Sequence, residues 1–172
     1  LLVLAWAAGV GMKGYGFAVW RLSPDLTSPE QIVKQLSGCC GQMDLQCRGD
    51  SLYVAENGRH RVQEFDRTGE KVASWGTRDR NGKAECFGGC CNPMNLCFDN
   101  LGRILTAESE GFVKAFDKDG KFQTVVGKAP VSGGCKNVAI ATTKDGRHLL
   151  FYDQGQSQII VLAAAEPKAK AD

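Results

Sequence analysis

The sequence predicts an all-β fold built from repeated units of four short strands. Segments of the same design recur at a spacing of roughly 51 residues. Within each segment, short apolar runs of strand length alternate with turns that contain glycine and aspartate. The 21 glycines and five prolines suit a turn-rich β protein. Four-stranded repeats of this length are typical of the blades of a β-propeller.

A stretch containing glycine and cysteine precedes the first strand of each unit. Cys40 aligns with Cys91, and the later turn at 66–69 then aligns with the turn at 117–120. A third and shorter copy places Cys135 at the same position. The shared register predicts that the three cysteines occupy equivalent places in successive units.

Each complete unit is predicted to hold four strands, the second of which is a continuous apolar run typical of a strand buried on both faces. The predicted strands of the two complete units are 43–47, 52–55, 61–66 and 71–75, then 94–98, 104–107, 112–117 and 122–126. The segment before them is predicted to supply three strands, at 1–6, 16–22 and 31–36, and the last unit also supplies three.

These units predict a single partial β-propeller domain over 1–162. Its blade segments are 1–37, 38–76, 88–127 and 133–162, and a low-complexity tail over 163–172 is expected to be disordered. About three and a half blades are fewer than the roughly six blades that close a typical ring of this kind. We therefore expect further blades upstream, or self-association, to close the ring. The apolar run at 1–10 is too short to span a bilayer, so no transmembrane segment is predicted.

The stretch from Glu56 to Gly69 resembles the NHL repeat, whose pattern is an apolar strand ending in an acid, then Asn, Arg-Val, an aromatic residue and a Gly after a short turn. The matching residues are Glu56, Asn57, Arg61, Val62, Phe65 and Gly69. The second copy keeps Glu108, Val113, Phe116 and Gly120, but it has Phe112 where the pattern has Arg.

The resemblance spans 38–162 and extends to a bacterial subgroup that carries Gly-Cys-Cys before the inner strand of each blade. It implies an NHL-type β-propeller. NHL propellers include lyases, RNA-binding domains and protein-binding scaffolds, so the resemblance leaves the function open.

The cysteines form the candidate site. In a propeller, the loops that lead into the inner strands open near the central axis on one face. Cys40, Cys91 and Cys135 occupy that loop in three units, and Cys39 and Cys90 stand beside two of them. Soft thiolates gathered there would suit copper, zinc or an iron–sulfur cluster.

Two methionines follow the cysteines at the same offset. Met43 and Met94 could add thioether ligands, which would favour copper. The third unit has Val138 at this position, which indicates that the methionines belong to the core instead. Cys47, Cys86 and Cys97 fall outside the repeated position and are expected to be packing or loop residues.

Three interpretations of function remain open. The leading one is a non-catalytic binding scaffold with a cysteine-lined axial site for a soft metal. In the second, the twin cysteines cycle between thiol and disulfide, as in a redox protein. In the third, the cysteines pack in the core or form disulfide staples in a purely structural protein-interaction domain.

Composition narrows the choice of partner and chemistry. The net charge of +2 and the absence of a basic stripe with interleaved aromatic residues do not favour a nucleic-acid partner, so a protein partner is expected. The two histidines, His60 and His148, suggest neither a histidine-ligated catalytic zinc nor a Ser-His-Asp set, and an enzyme is not favoured. His60 is expected in a solvated turn.

Two further expectations concern acids and location. Glu56, Glu108 and Asp153 recur at one position of the repeat, and they are expected to be turn acids that accept backbone hydrogen bonds. Eight cysteines exceed the usual content of a cytosolic domain. Together with the subgroup resemblance, this favours a periplasmic or secreted protein.

Overall fold

The computed structural model of the chain describes residues 2–6, 15–39, 43–131, 134 and 138–163. These residues form four antiparallel sheets in chain order, two with three strands and two with four. Each predicted strand is present, with boundaries that differ from the prediction by at most two residues. Within the same ranges, no helix has the length and apolar character needed to cross a membrane.

The first and second sheets contain seven strands, each paired with its neighbour in sequence. The strands are β1 Leu2–Trp6, β2 Tyr15–Arg21 and β3 Glu30–Gly38, then β4 Asp44–Arg48, β5 Ser51–Glu56, β6 Arg61–Phe65 and β7 Lys71–Trp75. A single 3₁₀ turn, Asn57–Arg59, joins β5 to β6 within the described part of the second sheet.

The third and fourth sheets repeat the same meander, and the fourth has three described strands. The strands are β8 Asn95–Phe98, β9 Ile104–Ala107, β10 Phe112–Phe116 and β11 Phe122–Lys128, then β12 Val138–Thr142, β13 His148–Asp153 and β14 Gln158–Ala163. The disordered tail was predicted to begin at residue 163, but Ala163 ends β14 because it pairs with His148. The rest of that tail lies outside the described residues.

The sheets stack face to face, and one apolar cluster lies in each space between neighbours. Phe17, Val19, Leu52 and Val54 pack between the first two sheets. The other two spaces are filled by clusters that include Tyr53, Ala55, Val62, Phe87, Leu96, Ile104 and Phe116 in one and Cys91, Met94, Cys97, Leu105, Val113, Val138, Ile140 and Phe151 in the other. Strands β5 and β9 are buried on both faces because a sheet covers each side, as their continuous apolar runs predict.

The inner strands β4, β8 and β12 lie side by side and are joined by a repeated polar contact. Asp44 Oδ2 accepts a hydrogen bond from the backbone N–H of Leu96 at 3.0 Å. Asn95, one repeat later, accepts the same bond from the N–H of Ile140 at 2.9 Å. Burial raises the pKa of the Asp44 carboxyl to about 6. The sequence analysis missed this contact because it depends on how neighbouring sheets approach.

The hairpin turns that end the third strand of each complete unit are closed by an aspartate and a glycine. Asp66 Oδ1 accepts hydrogen bonds from the backbone N–H groups two and four residues later, at 2.8 and 3.0 Å. Asp117 does the same at 3.0 and 2.9 Å. Gly69 and Gly120 complete the turns with φ values of 90° and 77°, which favour glycine over any residue with a Cβ.

Candidate functional site

Two loops that lead into successive inner strands bring three cysteines together. Cys39 follows β3 on the way to β4, while Cys90 and Cys91 precede β8. The Sγ atoms of the three residues all lie within 4.8 Å of one another. The gathering expected from the repeat register is therefore present for these residues. Cys40 and Cys135, the other two predicted members, lie outside the described residues.

The spacing of the three sulfurs is compatible with shared coordination of one ion. Sulfurs that bind one tetrahedral zinc at about 2.3 Å lie about 3.8 Å apart. Cys90 Sγ and Cys91 Sγ are 3.0 Å apart, which is longer than a disulfide bond of about 2.05 Å. That separation is shorter than the value for coordination, and the other two are at most 4.8 Å, so small movements of the side chains would bring all three within ligand distance.

The three thiols differ in their access to solvent. Cys91 is fully buried and packs with Met94 and Val138 between the third and fourth sheets. Cys39 is half-buried, and Cys90 is exposed. An ion would therefore reach the group from the side of Cys90 and would meet an apolar wall at Cys91.

The hairpin after β5 fixes the backbone of the loop that carries Cys39. Glu56 Oε1 accepts a hydrogen bond from the Ser37 N–H at 2.8 Å. Asn57 Oδ1 accepts one from the Cys39 N–H, also at 2.8 Å. The acid that ends β5 and the asparagine after it thus hold the loop that precedes β4.

The next repeat holds the second cysteine loop with an equivalent acid, but its asparagine lies in the loop and not in the hairpin. Glu108 Oε2 accepts a weak hydrogen bond from the Gly88 N–H at 3.4 Å, two residues before Cys90. Asn92 Oδ1, within the loop itself, accepts a bond from the Ser109 N–H at 2.9 Å. Both cysteine loops are therefore held by the β-hairpin of the sheet that they enter, and the sulfur positions depend on these tethers.

The buried tethering acids are balanced by nearby cations. Glu56 is fully buried and binds Arg61 Nε at 2.5 Å, Arg59 Nη1 at 3.2 Å and Gln63 Nε2 at 2.7 Å. Glu108 forms a buried ion pair with Lys114. Burial raises the pKa of Glu108, and the charge of Lys114 opposes that rise.

The expectation for the repeated acids holds in part. Glu56, Glu108 and Asp153 do accept backbone hydrogen bonds, and Asp153 Oδ1 accepts one from the Gly155 N–H at 2.9 Å. The sequence analysis did not foresee that the first two acids reach the cysteine loops. Asp153 Oδ2 is buried and has no partner among the described residues, and residues 135–137 of the third cysteine loop lie outside them.

The two candidate methionine ligands have different surroundings. Met94 is buried in the cluster that contains Cys91, and its Sδ accepts a hydrogen bond from Asn57 Nδ2 at 3.6 Å. Met43 is half-buried and packs against another cluster, that of Phe17 and Leu52. Met43 thus packs with the core between the first two sheets, whereas Met94 packs in the cluster that contains Cys91 and contacts Cys39.

Of the cysteines outside the repeated position, Cys97 packs in the core and Cys86 lies in a loop, as expected, whereas Cys47 was expected to pack and is exposed instead. Cys47 is exposed on β4, and Cys86 is half-buried in the loop before β8. Cys97 is buried on β8, where burial and the negative charge of Asp44 and Asp99 raise the pKa of its thiol to about 12. At neutral pH Cys97 is therefore a neutral packing residue.

His60 corrects one expectation, because the side chain is buried and not solvated. It is 6% exposed, with a φ of 54°, and the loop over 76–90 covers it. Phe87, which is fully buried, anchors that loop. Burial lowers the pKa of His60, and a hydrogen bond to the Gly89 carbonyl opposes the change. The sequence showed only the turn before β6 and not the loop that folds over it.

Comparison with known proteins supports the fold. No family model matches the chain, and no curated protein matches it. A candidate 6-phosphogluconolactonase from Bacteroides fragilis aligns with 99% of this chain and 49% of its own, at 18% identity and a TM-score of 0.56. The periplasmic gluconolactonase of Pseudomonas aeruginosa aligns with 94% of this chain and 49% of its own, at 16% identity and a TM-score of 0.55.

A candidate exported protein from Bacteroides fragilis aligns with 95% of this chain and 40% of its own, at 16% identity and a TM-score of 0.53. The chain thus spans about half the length, or less, of these solved structures. At such low identities the likeness shows the fold alone, which is a propeller-like stack of antiparallel sheets.

Proposed function

We propose that the chain is part of an NHL-type β-propeller that acts as a binding scaffold, with a soft metal ion held by Cys39, Cys90 and Cys91. One observation carries the proposal: loops from successive repeats bring three thiols within 4.8 Å of one another. Cys40 and Cys135 are further candidate ligands, because they share the repeated position.

The donor atoms favour a soft ion. In the described part of the chain the group contains cysteine only, with neither a histidine nor a carboxylate. Three thiolates suit copper(I), zinc or an iron–sulfur cluster better than a hard cation such as magnesium. A closed tetrahedral zinc site takes four protein ligands, so zinc would recruit one further sulfur. Met94 is the described thioether that packs in the same cluster as Cys91.

Metal titration of the reduced protein, purified anaerobically, tests this proposal. We expect about one copper(I) or zinc ion per chain, and at least a tenfold loss of affinity in Cys91→Ser, because a ligand is removed. Cys47→Ser is the matched control, since Cys47 is exposed on β4 and outside the group. Less than about 0.2 ion per chain, or equal losses in both variants, would contradict a metal site at these cysteines.

A second candidate function rests on the 3.0 Å separation of the Cys90 and Cys91 sulfurs. These two thiols could reduce a small-molecule disulfide, giving two electrons and two protons to form two free thiols and a disulfide between the cysteines. Exposure to glutathione disulfide should then lower the thiol count by two, and Cys90→Ser should abolish that change. An unchanged count in the wild-type chain would favour cysteines that only pack in the core.

The wider assembly is also proposed. About three and a half blades would belong to a ring of about six, completed by further blades or by a second chain. The solved neighbours are about twice as long as this chain, which supports a larger ring. We expect an extracytoplasmic location, because one neighbour is periplasmic and another is a candidate exported protein. A protein partner is expected because the net charge of +2 does not favour a nucleic acid. We do not propose lactone hydrolysis for this chain, because its 16–18% identity to the two lactonase structures supports a shared fold alone.

A further inference from the structure

Asn57 links the loop of Cys39 to the next repeat of the chain. Its side chain is fully buried. Asn57 Oδ1 accepts a hydrogen bond from the Cys39 N–H at 2.8 Å, and Asn57 Nδ2 donates to Met94 Sδ at 3.6 Å. Because only Oδ1 can accept from the Cys39 N–H, the orientation of the amide is fixed and its Nδ2 faces the thioether. One side chain therefore contacts both a proposed metal ligand and a second residue that carries sulfur.

Met94 is fixed beside the cysteine group. Its N–H donates to the Ala107 carbonyl at 2.8 Å, and its side chain is 1% exposed. It belongs to the apolar cluster of Cys91, against which Cys39 also packs. The thioether therefore shares a cluster with two of the three thiols, at the buried end of the group.

A thioether is an unusual partner for a buried amide. Sulfur is a weak hydrogen-bond acceptor, and a methionine that only fills space needs no donor. The bond from Asn57 restricts the rotation of a side chain that is otherwise among the most flexible in a protein core. It occupies one lone pair of the sulfur and leaves the other for an ion. The contact thus orients a candidate ligand.

The pair of Asn57 and Met94 is not a feature of every repeat. In the next unit Ser109 takes the place of Asn57, and in the unit after that of Met94 the equivalent residue is Val138. Ser109 Oγ donates to Glu110 instead, at 3.1 Å. A contact that served only to join neighbouring sheets would be expected to recur, as the bond between the inner strands does at two junctions. This pair occurs at the junction where three thiols converge.

We propose that Met94 is the fourth ligand of the metal site and that Asn57 is its positioning residue, so that the site prefers copper(I) over zinc. The inference rests on the proposed function, since it concerns the ion held by Cys39, Cys90 and Cys91. Copper(I) accepts thioether sulfur together with thiolates, whereas the usual ligands of zinc are thiolate, imidazole and carboxylate. An oriented thioether beside three thiolates therefore adds affinity for copper(I) and little for zinc.

Competition titrations of the reduced whole chain, under anaerobic conditions, test this preference. One chromophoric chelator would report copper(I) and another zinc, so each variant gives two dissociation constants and their ratio. Met94→Leu keeps the approximate volume of the buried side chain but removes the sulfur. We expect it to weaken copper(I) binding by about tenfold or more and to change zinc binding by less than about twofold. X-ray absorption at the copper edge should count one sulfur fewer in Met94→Leu than in the wild-type chain.

Asn57→Ala and Asn92→Ala separate the positioning of the thioether from the support of the loops. Both asparagines are fully buried and each bonds a cysteine loop to a hairpin, but the bond to Met94 belongs to Asn57. Asn57→Ala should lower the ratio of copper(I) to zinc affinity by about five- to tenfold, whereas Asn92→Ala should weaken both ions alike and leave the ratio unchanged. In the Met94→Leu background, Asn57→Ala should not lower the ratio further, because the thioether that it orients is gone.

The outcomes separate this inference from the wider metal proposal. Less than about 0.2 ion of either metal per wild-type chain would contradict both. Stoichiometric binding with the same affinity ratio in the wild-type chain and Met94→Leu, or an equal change of ratio in Asn57→Ala and Asn92→Ala, would overturn the roles of Met94 and Asn57 and leave the cysteine site standing. Met94→Leu does not remove the Asn57 tether to Cys39, so it tests the preference even where Asn57→Ala fails to fold.

Discussion

At the scale of single residues, buried polar side chains determine where the cysteines lie. Cys39 is placed by Asn57, and the loop before it is placed by Glu56. The repeat register showed from sequence that the cysteines would be equivalent. It could not show their tethers, because a side chain of one hairpin reaches the loop behind it only in the folded chain.

Glu56 gives the first prediction. Glu56→Ala should lower the free energy of unfolding by about 3–5 kcal/mol, because it leaves the half-buried Arg61 and the Ser37 N–H without their partner. Urea denaturation would measure the change. The exposed Glu70→Ala serves as the control and should cost less than about 0.5 kcal/mol. A similar loss in the two variants would show that the tether does not stabilise the fold.

At the scale of strands and loops, the inner strands and the loop over 76–90 carry most of what sequence analysis could not predict. The strands themselves follow from local apolar patterns, and all of those predicted are found. The position of the 76–90 loop depends on one residue, Phe87, whose side chain packs between the second and third sheets. A lone aromatic residue in a polar stretch carries no sequence signal for its partner, so the burial of His60 beneath this loop was missed.

The Phe87 anchor gives the second prediction. Phe87→Ala should cost about 3–5 kcal/mol of stability and loosen the loop. The pKa of His60 should then rise towards its ordinary value, because burial is what lowers it. An NMR titration of the histidine signals would show this. A stable variant with an unchanged His60 titration would mean that Phe87 does not hold the loop over the ring.

The contact between β4 and β8 gives the third prediction. The Asp44 carboxyl has a folded-state pKa of about 6 against an ordinary value of 3.8, so between these values the folded chain holds the proton more tightly than the unfolded chain. This stabilisation is complete below pH 3.8 and is lost as the pH rises through 6. The loss should reach about 3 kcal/mol at neutral pH.

Asp44→Asn should remove that pH dependence. Asn95 makes the equivalent contact in the next repeat, so an amide is compatible with the site. Urea denaturation from pH 3 to pH 8 would compare the wild-type chain with Asp44→Asn, and the two profiles should diverge mainly between pH 4 and pH 6. Parallel profiles would contradict the assignment of the pH effect to Asp44.

At the scale of the whole molecule, stability should be highest in the middle of the stack. The second and third sheets are each covered on both faces, whereas the described first and fourth sheets each have a cluster on one face. Backbone amides in β5 and β9 should therefore exchange with solvent at least tenfold more slowly than those in β14. Native-state hydrogen exchange would measure this, and uniform protection across the sheets would contradict it.

Sequence analysis reached the all-β architecture because the information for it is local and repeated. Strand length, turn residues and the spacing of Cys40 and Cys91 were sufficient for the sheets and for the convergence of cysteine loops. The course of the loop over 76–90 was not foreseen, because that loop is irregular and no repeat encodes it.

The repeated bond between inner strands has a consequence for the shape of the molecule. Asp44 and Asn95 make the same contact at two successive junctions, so we expect each junction to turn the next sheet through a similar angle. Equal steps would bend a row of sheets into an arc of constant radius. The side chain at this position of each unit would then set the step from one inner strand to the next, together with the apolar cluster between the sheets.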